Sequence, residues 1–359
     1  MARYIGMAAQ IAIISSTRPI ASRIYLDHAA TSPLRPEAKA AMEEGFRLWA
    51  NPSSPHAEGR KARAMLEDAR ERIKAALGWQ GELIFTSGAS EALAIALARS
   101  QRSRRLISPV EHDAVFRAAP DAELLTLEHG ELVLPDDMRG AVVAIQQVNP
   151  ETGSMMLETA NVHAAVAEGG GVLLADCSQS AGEEALPACG MAVISAHKLG
   201  GPVGIGALLV RDLTMLEPVG GHERGYRAGT ENLPAALGFA AALEALMADD
   251  RSARHEMRQR FANQIAPFRL VTGRRHSDRI FALTHPEMSA QSLLIRLDAL
   301  GFAVSAGSAC SSGTLKRSRV LEAFGIPDEV AARTNRVSLG WNTERDDLDR
   351  FVAAWSSLS

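Results

Sequence analysis

The sequence has few cysteines and no long apolar run. Its 359 residues include three cysteines, Cys177, Cys189 and Cys310, with wide spacing and no CxxC pair. This pattern argues against a disulfide framework and against a structural zinc site. No apolar run approaches the roughly 20 residues that a membrane-spanning helix needs. The formal net charge of −4 gives no general attraction to nucleic acid or to anionic membranes. We therefore predict a cytoplasmic protein with no metal site and with neither nucleic-acid nor membrane partners.

Lysine is also scarce, because arginine supplies all but five of the 38 basic residues. One of the five, Lys198, stands after an apolar run and before a glycine-rich stretch. A lysine in apolar surroundings loses its proton readily, and the free amine can condense with a carbonyl group. A surface lysine that extends its amine into solvent is the plain alternative.

The chain length favours two domains. Short apolar runs alternate with helical stretches, which indicates an α/β fold with a mainly parallel sheet flanked by helices. The predicted strands are residues 83–86, 141–148, 171–175, 191–195 and 205–210, then 281–283, 303–305 and 336–339; the predicted helices are 35–50, 57–77, 91–99, 162–168 and 234–248. We expect a large domain of residues 32–248 and a smaller α+β domain of residues 1–31 and 249–359. Residues 1–23 contain three arginines and no acid, which leaves open a transit peptide or an extra leading segment.

Polar residues follow several predicted strands, at the ends where ligands of open α/β sheets bind. Ser87–Glu91 opens a helix whose free N–H groups suit a phosphate, although a plain serine cap is the alternative. Asp176 ends a buried strand, where a carboxylate requires a partner. A protonated ring nitrogen or a metal would serve, and a helix N-cap is the alternative.

Two loops carry further candidate chemistry. Cys310 lies among glycines and serines, where a cysteine is a poor core residue, and we predict a reactive thiol rather than an incidental one. Cys177 and Cys189 lie beside strand or turn residues and are expected to be structural. Residues 220–230 are polar, glycine-rich and too long for a tight turn, so we predict a functional loop that reaches across an oligomer interface.

Ten segments of the sequence resemble the cysteine desulfurases, which are pyridoxal-phosphate (PLP) enzymes of aminotransferase fold type I. The segments are Tyr25–Pro33, Asn51–His56, Phe85–Ala92, Glu111-His112, Val148–Gly153, Asp176–Ser180, Ser195–Gly206, Gly220–Thr230, Gly307–Ser311 and Arg336–Gly340. Each is weak alone, whereas ten in the family's order are specific. The resemblance spans nearly the whole chain, and residues 305–310 are similar to the branch with a longer, mobile cysteine loop. It implies a large domain with a mixed, mainly parallel sheet and a smaller α+β domain.

The resemblance implies how the site residues would surround PLP. Lys198 would hold the cofactor covalently and move the Cα proton of the substrate. Asp176 would pair with the pyridine nitrogen and keep it protonated, so that the ring withdraws electrons. Gln179 would donate to the phenolic oxygen. His112 would stack on the ring and act as an acid or a base.

The resemblance also implies two anion sites. The phosphate would be bound by Ala89, Ser90, Ser195 and His197, with Thr230 reaching the phosphate of the other subunit in a homodimer. Arg336 would clamp the substrate carboxylate, helped by Asn149, because its planar fork matches a carboxylate.

The implied activity is the removal of sulfur from L-cysteine. Cys310 would attack the substrate sulfur, which leaves L-alanine and a persulfide. An acceptor protein, either an iron–sulfur scaffold or a thiolation carrier, would take the sulfur. A selenocysteine lyase or a cysteine sulfinate desulfinase would need the same PLP site. A non-catalytic sulfur carrier or partner-binding protein is the alternative of a different class.

Overall fold

The computed structural model describes residues 23–306 and 317–358, except residues 49 and 158. The predictions for residues 1–22 and for Cys310 therefore lie outside the described residues. The strands are β1 Ile24–Tyr25, β2 Glu82–Thr86, β3 Arg104–Ile107, β4 Glu123–Leu124, β5 Thr126–Glu128, β6 Glu131–Val133, β7 Ala141–Gln146, β8 Val172–Asp176, β9 Met191–Ser195, β10 Gly206–Val210, β11 Ile280–Thr284, β12 Phe302–Ala303, β13 Ser305–Ala306 and β14 Thr334–Ser338. The helices are α1 Pro36–Leu48, α2 Ala57–Leu77, α3 Ala89–Ala98, α4 Asp113–Ala118, α5 Thr159–Glu168, α6 Leu233–Ala248, α7 Arg251–Gln264, α8 Ala290–Ala299, α9 Arg319–Ala323, α10 Asp328–Ala331 and α11 Arg345–Leu358.

Seven strands form the main sheet, in the order β2-β10-β9-β8-β7-β3-β4. The contacts are parallel except those of β10, which runs antiparallel to both β2 and β9. Alternate residues of a strand point to opposite faces, so Val142 and Val143 of β7 pack into the two apolar layers of the main-sheet core, one on each face. Helices α2 and α6 cover one face, and α3 and α4 cover the other. This arrangement confirms the predicted α/β fold.

A second core forms around β11, β14 and β13, the β1-β12 pair and helices α7, α8 and α11. Aromatic rings meet edge to face there. The ring centroids of Phe261 and Phe281 are 5.3 Å apart, and those of Phe302 and Phe351 are 5.6 Å apart. Ile24 and Leu26 belong to this core although they are distant in sequence. The predicted domain boundaries at residues 31/32 and 248/249 stay predictions.

Two details of the second core differ from the sequence prediction. The strand expected at 303–305 is divided, because β12 pairs with β1 whereas β13 pairs with β14. Helix α7 is not among the predicted helices, because residues 249–260 are rich in charge. The structure places most of α7 there, and Asp250 caps it by accepting the amide of Ala253. Phe261 of α7 is fully buried, so an apolar residue at the end of a charged segment anchors the helix.

A buried ion pair attaches the polar stretch 220–230 to the edge of the main sheet. Both nitrogens of the Arg70 fork donate to Glu223, at 2.8 and 3.0 Å, and both side chains are 0% exposed. Glu223 also accepts the amide of Phe85 in edge strand β2 at 2.7 Å. The backbone of Glu223 has a positive φ of 49°, which is uncommon for a residue with a side chain. The ion pair therefore fixes both the edge of the sheet and an unusual turn.

We expect Glu223→Ala to lower the free energy of unfolding by about 3–5 kcal/mol, because the buried Arg70 charge then keeps only the partly exposed Glu67 as an ionic partner. Urea unfolding of the variant measures this loss. Glu71→Ala is the matched control, since Glu71 pairs with Lys74 on the surface and should change stability by less than about 1 kcal/mol. Equal effects of the two changes would contradict the role given to the buried pair.

Candidate active site

The directions of the central strands gather polar residues at one edge of the main sheet. Strands β7, β8 and β9 are parallel, so Gln146, Asp176 and Ser195 end at the same edge. Strand β2 runs in that direction too, because β10 is antiparallel to both β2 and β9. At this edge Gly206 lies opposite Thr86 and Ser195. A Cβ on Gly206 would lie 2.6 Å from the Ile194 carbonyl, so only glycine lets these backbones approach.

These strand ends open into a cavity of about 750 Å³. The predicted residues that line it are Ala89, Ser90, His112, Asp176, Gln179, Ser195, His197, Lys198 and Arg336. Arg336 belongs to β14 of the second core. The others lie at the ends of main-sheet strands or in the segments that follow them. The chain thus brings together nine residues that are spread over nearly 250 sequence positions.

Lys198 lies in a short 3-10 turn directly after β9. Its amine donates to the carbonyls of Ala29 and Ala30, the latter at 2.8 Å. The turn is held on the other side by Ser32, whose amide and hydroxyl donate to the carbonyls of His197 and Lys198. Burial, aided by the charge of Arg336, lowers the pKa of Lys198 to about 8. About a tenth of the amine is therefore unprotonated and nucleophilic at pH 7, and about half of it at pH 8.

The lowered pKa gives a test of Lys198 that depends on pH. When PLP is added to the cofactor-free protein, the rate of its covalent attachment should rise with pH to a midpoint near 8. The unprotonated amine is the form that adds to a carbonyl, and an ordinary lysine would give a midpoint near 10.5. Stopped-flow absorbance measures the rate. Arg336→Gln should move the midpoint upward because it removes a neighbouring positive charge, and an unmoved midpoint near 10.5 in both proteins would refute the interpretation.

One end of the cavity is built to receive an anion. Helix α3 begins at Ala89, and its first-turn amides point to the cavity without intrahelical carbonyl partners. Ser90 and Ser195 supply hydroxyl groups beside them. His197 also lines the cavity, and burial lowers the pKa of its imidazole to about 4. The site therefore offers neutral donors and a helix N-terminus, which suits a phosphate.

The remaining predicted cofactor residues also line the cavity. Asp176 is 8% exposed and accepts the amide of Ser178 at 2.9 Å. The side-chain amide of Gln179 donates to the Ala29 carbonyl at 2.9 Å. This oxygen also accepts a hydrogen bond from the Lys198 amine. His112 caps helix α4 by accepting the amide of Ala114 through Nδ1 at 3.1 Å. Burial lowers the pKa of His112, and the neutral ring must then carry its proton on Nε2, since Nδ1 is an acceptor.

The structure does not bring every predicted residue to the cavity. Asn149 is fully buried, and its Oδ1 accepts the amides of Glu151 and Thr152 while Nδ2 donates to Val110. It shapes the turn under the cavity wall and is not among the lining residues. Thr230 is exposed on the surface, apart from the cavity. Cys310 lies outside the described residues.

Three acidic lining residues, Asp27, Glu91 and Glu151, have no role in the sequence prediction. Glu91 pairs with Arg227 at 3.2 Å and accepts the amide of Ser87. Asp27 pairs with Arg336 inside the cavity. Glu151 accepts the Ser318 hydroxyl at 2.6 Å, and burial raises the pKa of its carboxyl. All three lie within segments that carry the family resemblance. Only their position in those motifs could have marked them as site residues, because no local residue pattern does.

Neither a metal-binding cluster nor a membrane-spanning helix occurs among the described residues. No cluster of three or more histidine, cysteine or acidic side chains there could hold a metal ion. In the same part of the chain, no helix has both the length and the apolar character to cross a membrane.

The cavity fits PLP in three respects. The N-terminus of α3 with Ser90 and Ser195 suits the phosphate, Asp176 suits the ring nitrogen, and Lys198 supplies an amine for the aldehyde carbon. The hydroxyl of Ser178 is buried and has no hydrogen-bond partner among the described residues, so a donor is left for a bound group.

Comparisons with known proteins agree with this fit. The aminotransferase class-V family model matches residues 24–351. The chain is 35% identical to a cysteine desulfurase IscS of Dictyoglomus turgidum, over 91% of this chain and 92% of the relative. It is 33% identical to an IscS-like cysteine desulfurase of Mycobacterium tuberculosis, over 90% of this chain and 93% of the relative. The X-ray structure of a NifS-like protein from Rickettsia africae has a TM-score of 0.82 at 24% identity, over 94% of this chain and 99% of that one, and it shows the fold. The chain thus belongs to the aminotransferase class-V family and, within it, to the PLP-dependent cysteine desulfurases, as the sequence predicted.

Proposed function

We propose that this protein removes sulfur from L-cysteine with the help of PLP, giving L-alanine and a persulfide on Cys310. The observation that carries the proposal is the single cavity in which Lys198, Asp176 and Arg336 meet. It offers an amine of lowered pKa, a buried carboxylate and a guanidinium that can take a substrate carboxylate. The relatives named as cysteine desulfurases supply the substrate class.

Three polar groups of the cavity have tasks in this proposal: the Lys198 amine, the Arg336 guanidinium and the His112 ring. Bound PLP supplies an electron sink for the carbon atoms of the substrate. Lys198 would hold PLP, and as a free amine it would take the Cα proton of the substrate and return it. Arg336 fixes the substrate carboxylate and thereby aims Cα at Lys198. The Nε2 proton of His112 faces the cavity, where it can be given to a developing negative charge.

Cys310 is the thiol that remains for sulfur transfer. Cys177 and Cys189 are fully buried, and burial raises the pKa of Cys177 well above its usual value and that of Cys189 to about 12. Neither can supply a thiolate at neutral pH. The Cys310 thiolate attacks the substrate sulfur, so an S–S bond forms as the C–S bond breaks. The bonding pair stays on carbon and is protonated to the methyl group of alanine, and no external oxidant is needed.

The proposal is tested by the turnover of L-cysteine, L-selenocysteine and cysteine sulfinate by the wild type and Cys310→Ser. Loss of L-cysteine turnover alone in the variant supports a desulfurase that works through Cys310. Equal turnover of all three substrates in both proteins would assign a lyase or desulfinase instead. No turnover by a wild-type protein that binds no PLP would favour the carrier function.

We also propose a homodimer and an acceptor protein for the sulfur. Support for the dimer comes from the stretch 220–230, which Glu223 fixes firmly although it leaves Thr230 exposed. In a dimer that threonine can reach the phosphate site of the other subunit. Light scattering of the PLP-loaded protein should give twice the chain mass. The class of the acceptor and the cytoplasmic location stay predictions from the sequence.

A further inference from the structure

The carboxylate of Asp27 occupies one side of Arg336 inside the cavity. Arg336 Nη2 donates to Asp27 Oδ1 at 2.8 Å, and the two side chains are 10% and 19% exposed. Nη1 of the same guanidinium donates to the Pro150 carbonyl at 3.0 Å. Nε is buried and has no hydrogen-bond partner among the described residues. A substrate carboxylate that takes Nε and Nη2 as a fork must therefore share Nη2 with Asp27.

The backbone around Asp27 is fixed, so this contact is not a passing surface pair. Asp27 forms an isolated parallel bridge with Ser338, which follows Arg336 by two residues in β14. The Ser338 amide donates to the Leu26 carbonyl at 2.8 Å, and Leu26 is fully buried. The Tyr25 hydroxyl donates to the Asp27 carbonyl at 3.2 Å. Adjacent extended segments thus place the acid and the base side by side.

Asp27 also changes the balance of charge in the cavity. Arg336 and Lys198 are the only lysine or arginine side chains among the described residues that line it. The proposed function uses Arg336 for the α-carboxylate and Lys198 for covalent chemistry, which leaves no lining cation for a second anionic group. Such a group would instead meet Asp27, whose carboxylate lies within hydrogen-bond distance of Arg336.

We propose that Asp27 determines the charge of the substrate that Arg336 accepts. It admits amino acids with one carboxylate and an uncharged side chain, and it rejects those with a second anionic group, such as cysteine sulfinate or aspartate. The inference rests on the proposed function only in one respect, namely that Arg336 binds the α-carboxylate of the substrate. Repulsion between like charges a few ångströms apart is strong in a partly buried site, since water screens it weakly.

The test compares two amino acids that contain no sulfur. Calorimetric titration of the PLP-loaded wild type should show L-alanine binding at least about ten-fold tighter than L-aspartate. Asp27→Asn keeps the shape and an oxygen acceptor for Arg336 but removes the charge. It should reduce the ratio of the two affinities by about ten-fold, mainly through tighter binding of L-aspartate. Kinetics should agree, with the kcat/KM ratio of cysteine sulfinate to L-cysteine rising by a similar factor.

Asp349→Asn is the matched control, because Asp349 pairs with Arg260 at 3.0 Å on the surface. This variant should keep the wild-type affinity ratio. Asp27→Ser is a second variant without the charge, for use if the asparagine variant folds poorly.

Three outcomes would overturn the inference. The wild type could bind L-aspartate as tightly as L-alanine, or Asp27→Asn could weaken both ligands equally, as a merely structural role would. Alternatively, neither amino acid could bind the wild type, in which case Arg336 is not a carboxylate site. Failure of the proposed function gives a different result, because a wild type without L-cysteine turnover can still discriminate between the two ligands.

Discussion

Lys198→Ala is expected to lower L-cysteine turnover by at least about 10³-fold, since the variant loses both the covalent attachment of PLP and the proton transfer at Cα. Lys198 is the lysine of the described chain that lines the cavity, and its pKa of about 8 prepares the amine for both tasks. Steady-state production of alanine measures the loss. Lys39→Ala is the matched control because Lys39 lies on the surface of α1, 71% exposed, and it should keep full activity.

Chemical trapping separates the loss of chemistry from the loss of cofactor binding. Borohydride treatment of the PLP-loaded wild type should fix the cofactor to the peptide that contains Lys198. The Lys198→Ala protein should still bind PLP through Asp176 and the N-terminus of α3, yet borohydride should fix none of it. Attachment to any other lysine, or a variant with undiminished turnover, would overturn the assignment of Lys198.

Cys310→Ser is expected to reduce L-cysteine turnover to below about 1% of the wild type, because a serine hydroxyl is a far weaker nucleophile toward sulfur than a thiolate. Binding of L-cysteine should persist, since Arg336 and Lys198 are unchanged. The absorption change of PLP on adding L-cysteine measures binding, and alanine release measures turnover. The variant should therefore show the first and lack the second.

The other two cysteines provide the controls for this prediction. Cys177→Ala and Cys189→Ala should keep most of the activity, because both thiols are buried and burial raises their pKa values. Iodoacetamide should label Cys310 in the native wild type and reach the buried pair only after unfolding. A fully active Cys310→Ser protein, or an inactive Cys189→Ala protein that folds normally, would move the nucleophile elsewhere.

The main sheet could be predicted because most of its strands are buried on both faces and read as continuous apolar runs. Strand β9 begins and ends where predicted, at Met191 and Ser195. Strand β3 was missed because Arg104 and Arg105 leave only two apolar residues in it. The reversed direction of β10 could not be predicted either, since an apolar run looks the same in both directions. Only the pairing with β2 and β9 reveals it.

The candidate site was predictable where function depends on the residue that follows a strand. Asp176, Ser195 and Lys198 occupy such positions, and parallel strands bring them to one edge. The side chain of Asn149 bonds its own turn in this structure, and its part in binding the substrate carboxylate stays a prediction. Asp27 shows a limit of sequence reasoning, since its partner Arg336 lies 309 residues away and no local pattern indicates the contact.

A single turnover distinguishes sulfur transfer to Cys310 from simple loss of sulfide. The PLP-loaded wild type is mixed with L-cysteine in the absence of reductant, and the products and the Cys310 peptide are analysed by mass spectrometry. We expect one L-alanine released per chain, with the mass of one added sulfur atom on the Cys310 peptide. Pyruvate and free sulfide with an unmodified Cys310 would refute the transfer, because the C–S bond would then break without passing its sulfur to the thiol.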